Sequence, residues 1–157
     1  MASRRPSPVR LLCLSGPSLH LLGRREPDIY GTETLDAIHQ RVAERARSLG
    51  ASVDCRQSNH EGTLIDWIGE ASGAFEGILL NAGAYSHTSL ALADALRAVR
   101  LPAVEVHLSN PEAREPFRRR SRIAAACVGK IVGFGGDSYV LAVEALVAHL
   151  RRAGLGA

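Results

Sequence analysis

The sequence contains few aromatic residues and few cysteines. Phe, Trp and Tyr make up 4% of its 157 residues, too few for the stacking platforms on which proteins bind single-stranded nucleic acids. The three cysteines, Cys13, Cys55 and Cys127, are widely spaced and lie in or beside apolar runs, a pattern typical of neither a disulfide framework nor a metal site. We therefore expect reduced thiols in a cytoplasmic protein, with no metal and no nucleic-acid partner.

A long apolar segment is also missing. No run is long enough for a signal peptide or a membrane span, so we expect no membrane partner. The basic residues 1–8 are predicted to be a flexible N-terminal tail, and residues 9–157 suit a single catalytic domain with one hydrophobic core. Arginines cluster at 118–122, but the mild net charge of +3 favours an anionic small molecule as the binding partner.

Short apolar runs alternate with segments of helical periodicity along the chain. The predicted strands lie at 9–14, 51–55, 77–81, 103–108 and 127–134. The predicted helices lie at 34–49, 63–74 and 89–99. A last helix begins at Asp137 as N-cap, with an apolar stripe at Val140, Leu141, Ala145 and Ala148. This alternation predicts an α/β fold of the flavodoxin-like type, a five-stranded parallel sheet with helices on both faces.

Polar side chains follow the predicted strands at the point where each strand ends. Ligands of open α/β sheets bind outside the carboxyl ends of the strands. The segment from Leu14 to Leu35, broken by glycine and proline, follows the first strand and has the composition of a mobile active-site loop. The fold would bring to one edge Ser15, Ser18, Arg25, Tyr30, Asn81, His87, Glu105, His107, Ser109, Asn110, Arg114 and Arg118.

Three segments of this edge carry motifs of a known family. They read GRREPDIYG at 23–31, LNAGAYSHTS at 80–89 and EVHLSNPEAREPFRRRS at 105–121. In order and spacing they resemble the type II 3-dehydroquinate dehydratases over nearly the whole chain. The resemblance implies a flavodoxin-like fold, a homo-oligomer that is a dodecamer built of trimers, and no cofactor or metal. It also implies dehydration of 3-dehydroquinate to 3-dehydroshikimate by anti elimination through an enolate.

The resemblance further implies the catalytic roles. Tyr30 matches the family's base; a free phenol has a pKa of about 10, and Arg25 in the same loop is expected to favour its ionised form. His107 matches the general acid that protonates the leaving hydroxyl, with Glu105 two residues earlier as the group that orients it. Arg114 matches a second arginine that closes the loop.

Other matching residues are expected to hold the substrate. They are Asn81, His87, Arg118 and the backbone of Leu108 and Ser109, while Asp94 is expected to reach the site of a neighbouring subunit. His87 has a structural alternative, because the adjacent Thr88 or Ser89 could cap the next helix. The glycine-rich segment at 133–136 is predicted to be a tight helix entry, since it lacks the full spacing of a phosphate loop.

The first loop departs from the family pattern. The family reads Asn-Gly-Pro-Asn-Leu-Asn, whereas this chain has Ser-Gly-Pro-Ser-Leu-His at 15–20. In the family, the asparagine at the position of Ser18 positions a water between base, acid and enolate, and a serine hydroxyl has a shorter reach. Three hypotheses follow: a working dehydratase, slowed or compensated; an impaired homologue that keeps the pocket as a binding or regulatory module; and an enzyme for a related cyclic polyhydroxy acid.

Overall fold

The computed structural model describes residues 8–154, which contain one parallel, five-stranded sheet. The strands are β1 (Val9–Ser15), β2 (Ala51–Gln57), β3 (Gly77–Asn81), β4 (Ala103–His107) and β5 (Gly129–Val132). They lie in the order β2-β1-β3-β4-β5, and every neighbouring pair is parallel. The predicted tail at residues 1–8 lies outside the described residues apart from Pro8.

Helices and short turns connect these strands. The α-helices of the described region are α1 (Pro27–Tyr30), α2 (Leu35–Ser48), α3 (Glu61–Gly69), α4 (Leu90–Val99) and α5 (Asp137–Arg152). Short 3₁₀ helices lie at Leu19–Leu21, Gly83–His87, Pro111–Ala113, Pro116–Arg119 and Ala124–Ala126. Two helices begin at side-chain caps, because Thr34 Oγ1 accepts from the N–H of Ala37 and Ser89 Oγ accepts from the N–H of Leu92.

Apolar helix faces cover both sides of the sheet. Helices α2 and α5 contribute one buried cluster, which includes Ile38, Val42, Val143 and Leu146. Helices α3 and α4 contribute a second cluster on the other face, which includes Leu64, Ile68, Leu92 and Leu96. The predicted α/β, flavodoxin-like architecture is therefore confirmed. Between residues 8 and 154, no helix has both the length and the apolar character needed to cross a membrane.

Strands β2, β1 and β3 end at the same level. Ser15, the last residue of β1, pairs with Gln57 on one side and with Asn81 on the other. The chain then leaves the sheet through Gly16, whose N–H donates to the carbonyl oxygen of Asn81 at 2.8 Å. A β-carbon on Gly16 would lie 2.7 Å from the carbonyl oxygen of Ala82, so only glycine fits at this exit.

The bounds of α3 and β5 differ most from the prediction. Helix α3 begins at Glu61 and ends at Gly69, whereas the sequence predicted 63–74. The chain turns at 70–74 directly after the helix, and Gly73 within this segment has a φ of 79°. Strand β5 is shorter than the predicted 127–134, because a 3₁₀ helix precedes it and Gly133, with a φ of 97°, turns the chain after it.

The predicted apolar stripe of the last helix is wrong. The exposed residues include Leu141, Ala145 and Ala148, and Val140 is only half-buried. The buried face consists of Ser138, Tyr139, Ala142, Val143, Leu146, Val147 and Leu150. Apolar residues occur almost all around this helix, so periodicity alone does not select a face. Asp137 is the first helical residue and not the N-cap, and its carboxylate pairs with Arg41.

The cysteines are free thiols of unequal exposure. Cys13 is buried, as expected, whereas Cys55 and Cys127 are only half-buried. Burial, together with the nearby carboxylate of Glu105, raises the pKa of the Cys127 thiol to about 12. Because the thiolate is the reactive form of cysteine, Cys127 is a poor nucleophile at neutral pH.

Candidate active site

A cleft of about 130 Å³ opens at the carboxyl edge of the sheet. It lies beyond the ends of β1, β3 and β4, where ligands of open α/β sheets bind. Every predicted site residue except Glu105 and Asp94 lines it: Ser18, Arg25, Tyr30, Asn81, His87, His107, Leu108, Ser109, Arg114 and Arg118. The structure thus brings together residues from the three segments that follow β1, β3 and β4.

Tyr30 lies at the end of the short helix α1, between two arginines. Arg114 Nη1 donates a hydrogen bond of 2.7 Å to the Tyr30 hydroxyl. The guanidinium carbons of Arg25 and Arg114 lie 5.1 and 5.2 Å from the centre of the Tyr30 ring. The sequence pointed to Arg25 as the cation beside the phenol, but it is Arg114 that contacts the oxygen, while Arg25 stacks on the ring. Two positive charges therefore lie beside the Tyr30 side chain, one at its oxygen and one over its ring.

His107 and Glu105 form a close pair on one face of β4. His107 Nε2 lies 2.6 Å from Glu105 Oε1, and Glu105 is completely buried. Burial by itself raises the pKa of Glu105. The contact with His107, a hydrogen bond from Ser121 Oγ and the charge of Lys130 outweigh burial, so the pKa of this carboxyl lies below its usual range. Glu105 is therefore an ionised carboxylate at neutral pH, placed to stabilise a protonated imidazole.

His87 lies beside this pair at the end of the 3₁₀ helix Gly83–His87. Its ring centre is 6.4 Å from that of His107, and the two rings are nearly parallel. His87 Nδ1 is 2.9 Å from the carbonyl oxygen of Arg120. Since a carbonyl only accepts, Nδ1 carries the proton, which leaves Nε2 of the neutral ring as an acceptor. Ser89 caps helix α4, so His87 is not needed for that purpose.

Asn81 is fixed by a buried network that the sequence did not reveal. Asn81 Nδ2 donates to the hydroxyl of Tyr139 at 3.0 Å, and Asn81 Oδ1 accepts from the N–H of Gly83 at 3.1 Å. The same hydroxyl lies 2.9 Å from Ser15 Oγ. Tyr139 is completely buried, and burial raises its pKa above the usual range of a tyrosine. It is a neutral hydrogen-bonding residue that locks the end of β1 to the end of β3.

Arginines give the cleft a positive lining. Arg118 and Arg114 follow β4 on the loop that contains the 3₁₀ helices at 111–119. Glu115 lies between them, 2.7 Å from Arg118 Nε and 3.8 Å from Arg114 Nε. With Arg25, which lies 3.4 Å from the Glu26 carboxylate, these side chains provide three guanidinium groups against two exposed carboxylates. Such a lining suits a ligand with a carboxylate group.

Asp94 lies away from the cleft of its own chain. It belongs to helix α4, its side chain is 79% exposed, and Arg97 Nη1 lies 3.6 Å from its carboxylate. The sequence placed Asp94 in the site of a neighbouring subunit, which the exposed position permits. Within residues 8–154, no group of three or more His, Cys, Asp or Glu side chains comes together as a metal site would require.

Three comparisons with known proteins agree on one family. Residues 9–147 match the model of the family described as Dehydroquinase class II. A 3-dehydroquinate dehydratase from Ruegeria pomeroyi is 54% identical over 92% of this chain and 97% of its own length, and one from Nostoc sp. is 56% identical over 92% and 98%. The crystal structure of a type II dehydroquinase from Butyrivibrio crossotus aligns with a TM-score of 0.86 at 42% identity, covering 88% of this chain and 97% of its own. The chain therefore belongs to the class II dehydroquinase family.

Proposed function

We propose that this protein dehydrates 3-dehydroquinate to 3-dehydroshikimate in the cleft at the carboxyl edge of its sheet. The family membership and the names of its curated relatives support this reaction. The observation that carries it is the pairing within one cleft of an arginine-bound phenol, Tyr30, and a carboxylate-bound imidazole, His107. The reaction requires one base and one acid near the same small molecule.

Substrate binding begins with its carboxylate, which Arg118 and the other guanidinium groups attract. Asn81, His87 and the backbone N–H groups of Leu108 and Ser109 then have the hydrogen-bonding capacity to hold the ring hydroxyls. Of these side chains, Asn81 is held by hydrogen bonds to Tyr139 and Gly83, and His87 by one to Arg120. They therefore meet the substrate largely preorganised, which lowers the entropic cost of alignment.

Tyr30 removes a proton from the carbon next to the ketone of the substrate. Arg114, 2.7 Å from the phenolic oxygen, stabilises the phenolate that acts as the base. The C–H electron pair moves into the ring and forms an enolate, whose negative charge forms in a cleft lined with guanidinium groups. The proton is then on Tyr30.

His107 completes the elimination. Its protonated imidazole donates to the departing hydroxyl, so that the C–O bond breaks and water leaves while the enolate regenerates the ketone, now conjugated with a C=C bond. Glu105, 2.6 Å from the ring, holds the imidazole in place and compensates its positive charge. The proton held by Tyr30 returns to His107 through solvent, which restores the starting state.

The alternative hypotheses have less support. A binding or regulatory module would need none of the acid–base geometry, yet Tyr30, Arg114, Glu105 and His107 all have their partners in place. The relatives compared above are named for turnover of 3-dehydroquinate rather than of another ring acid. The cleft is present with serine at position 18, and Ser18 forms part of its lining.

We further propose a dodecamer built of trimers as the active assembly. Asp94 is exposed outside the cleft of its own chain, which suits a role in the site of a neighbouring subunit. Leu90, Phe117 and Val128 also leave apolar surface exposed, which association would bury. Size-exclusion chromatography with static light scattering is expected to give twelve chains, and the mass of a single chain would contradict this assembly.

A single catalytic domain at residues 9–157 and a cytoplasmic location complete the proposal. The free thiols of Cys13, Cys55 and Cys127 suit a reducing compartment. Fractionation of cells is expected to place the enzyme in the cytoplasm, and an oxidised, exported form would contradict this location.

The test of the reaction is a rise in ultraviolet absorbance as the conjugated enone forms. Wild-type protein is expected to turn over 3-dehydroquinate, and Tyr30→Phe to lose about 10³-fold in kcat because the base is removed. Arg47→Ala is a control for substitution as such, since it changes an exposed residue of helix α2 that does not line the cleft. Absence of turnover by the wild-type protein would contradict the proposed function.

A further inference from the structure

Ser18 has a backbone conformation that serine rarely adopts. Its φ of 65° and ψ of 0° lie in the left-handed helical region, where the β-carbon of most residues crowds the backbone. Ser18 lines the cleft, and its own side chain does not cap the 3₁₀ helix that follows. The conformation therefore needs support from outside the loop.

That support comes from Asn59, just beyond the end of β2. Asn59 Oδ1 accepts a hydrogen bond of 3.0 Å from the backbone N–H of Ser18. The same oxygen accepts another of 3.0 Å from Gln57 Nε2, which also donates to the carbonyl oxygen of Gly16 at 3.1 Å. Asn59 and Gln57 thus hold both ends of the turn at 16–18.

Asn59 also contacts a second wall of the cleft. Its backbone carbonyl oxygen accepts a hydrogen bond of 2.8 Å from the hydroxyl of Tyr85. Tyr85 belongs to the 3₁₀ helix Gly83–His87, which contributes Gly83, Ala84 and His87 to the cleft lining. One residue therefore connects the turn that carries Ser18 with the segment that carries His87.

A serine depends strongly on such support. Its hydroxyl is attached directly to the β-carbon, so the position of the oxygen follows the backbone torsions and only one side-chain torsion. Misplacement of a group in an active site by about 1 Å can cost about 10²-fold in rate. The reach of the Ser18 hydroxyl is therefore set by the hydrogen bond between its own N–H and Asn59.

We propose that Asn59 is a positioning residue for the dehydration. Its side-chain oxygen holds Ser18 in the left-handed conformation and so fixes where the Ser18 hydroxyl meets the cleft. Asn59 acts through Ser18 and does not touch the substrate. The inference rests on the proposed function, because it concerns turnover in the same cleft.

The first experiment compares three variants by kcat, KM and thermal unfolding. Asn59→Ala removes the acceptor and Asn59→Asp keeps it. His60→Ala alters the next residue, the N-cap of helix α3, which is exposed and whose side chain makes no capping hydrogen bond. Asn59→Ala is expected to lose about tenfold in kcat, with a smaller change in KM and an unchanged Tm. Asn59→Asp and His60→Ala are expected to keep the kcat of the wild type. An equal loss of kcat in Asn59→Asp and Asn59→Ala would overturn the proposal.

A second experiment changes the residue that Asn59 supports. Asparagine tolerates the left-handed conformation better than serine. We therefore expect Asn59→Ala to lower kcat much less in the Ser18→Asn variant than in the wild type. Equal losses in both backgrounds would show that Asn59 does not act through Ser18.

Hydrogen exchange at the Ser18 amide gives a readout that does not need turnover. It is expected to be slow in the wild type and in Asn59→Asp, and fast in Asn59→Ala. Fast exchange in the wild type would overturn the inference, whereas slow exchange in a protein without turnover would contradict only the proposed function.

Discussion

The acid and the base of the proposed reaction lie in very different parts of the molecule. His107 and Glu105 belong to β4, which pairs with strands on both sides, and Glu105 is completely buried. Tyr30 belongs to the four-residue helix α1, which has no buried residue. Glycines with positive φ, Gly23 at 88° and Gly31 at 80°, flank that helix. The acid is part of the folded core, whereas the base is on a surface loop.

The two groups are consequently held by different means. Glu105 receives hydrogen bonds from Ser121 Oγ at 2.8 and 3.0 Å besides its contact with His107, so folding itself positions the acid. The Tyr30 hydroxyl has its side-chain hydrogen bond from Arg114, a residue of another loop. Its position therefore depends on contact between two loops. The proton donor is thus held by the folded core, whereas the base is held by a contact at the surface.

Among changes to the residues that hold the acid and the base, the largest effect is expected on the acid side, in Glu105→Gln. The amide has almost the same shape but no charge, so it cannot compensate the protonated imidazole of His107. We expect kcat to fall by about 10²-fold, with KM changed much less. Steady-state kinetics measure kcat and KM, and circular dichroism checks that the variant folds. Ser48→Ala, on the exposed end of helix α2, is a control for substitution as such. An unchanged kcat in Glu105→Gln would show that Glu105 and His107 do not act as a unit.

On the side of the base, Arg114→Ala removes the hydrogen bond to Tyr30. A hydrogen bond to a charged group contributes about 1.5–3 kcal/mol, which corresponds to a loss of about ten- to hundredfold in kcat/KM. Thermal stability is expected to change little, because the contact joins two surface loops. Arg24→Ala, which removes an exposed arginine from the same segment as Tyr30, should keep its activity. Equal losses in the two variants would show a general effect of charge rather than a contact with the base.

The smallest expected effect is on stability in acid. The pKa of Glu105 lies below its usual value of 4.5, so in the pH range between the folded and unfolded values the unfolded chain binds more protons. The contribution of Glu105 to stability is therefore complete above the unfolded value and disappears as the pH falls through the folded value. We expect the Tm of the wild type to fall further than that of Glu105→Gln between about pH 5 and about pH 3. Parallel curves from differential scanning calorimetry would contradict this expectation.

Local sequence patterns predicted the strands, the strand ends and the helix starts, because these features depend on neighbouring residues. The apolar runs at 77–81 and 103–108 identified both the strands and the edge where the polar residues at their ends meet. Thr34 and Ser89 were recognisable helix starts because capping involves only neighbouring residues. The site residues on this edge followed from matching motifs, and the structure collects most of them in one cleft.

Contacts between distant residues were not predictable in the same way. Arg114 reaches Tyr30 across 84 positions, and Ser15 meets Tyr139 across 124. The apolar stripe of α5 was wrong because the helix is apolar on several sides, and packing chooses the face that buries Tyr139. No sequence motif pointed to Asn59, because its proposed positioning role depends on the backbone torsions of Ser18. The assembly and the part played by Asp94 stay predictions.

Lys130 is the one lysine of the chain, and its ammonium nitrogen lies 4.0 Å from the Glu105 carboxylate. An amine-directed dye or resin thus has one side-chain target. That target is partly exposed and lies beside the Glu105–His107 pair, which is proposed to protonate the leaving hydroxyl. Acylation there would remove a positive charge from beside a buried carboxylate. Immobilised or fluorescent preparations of this enzyme should be attached through another kind of side chain.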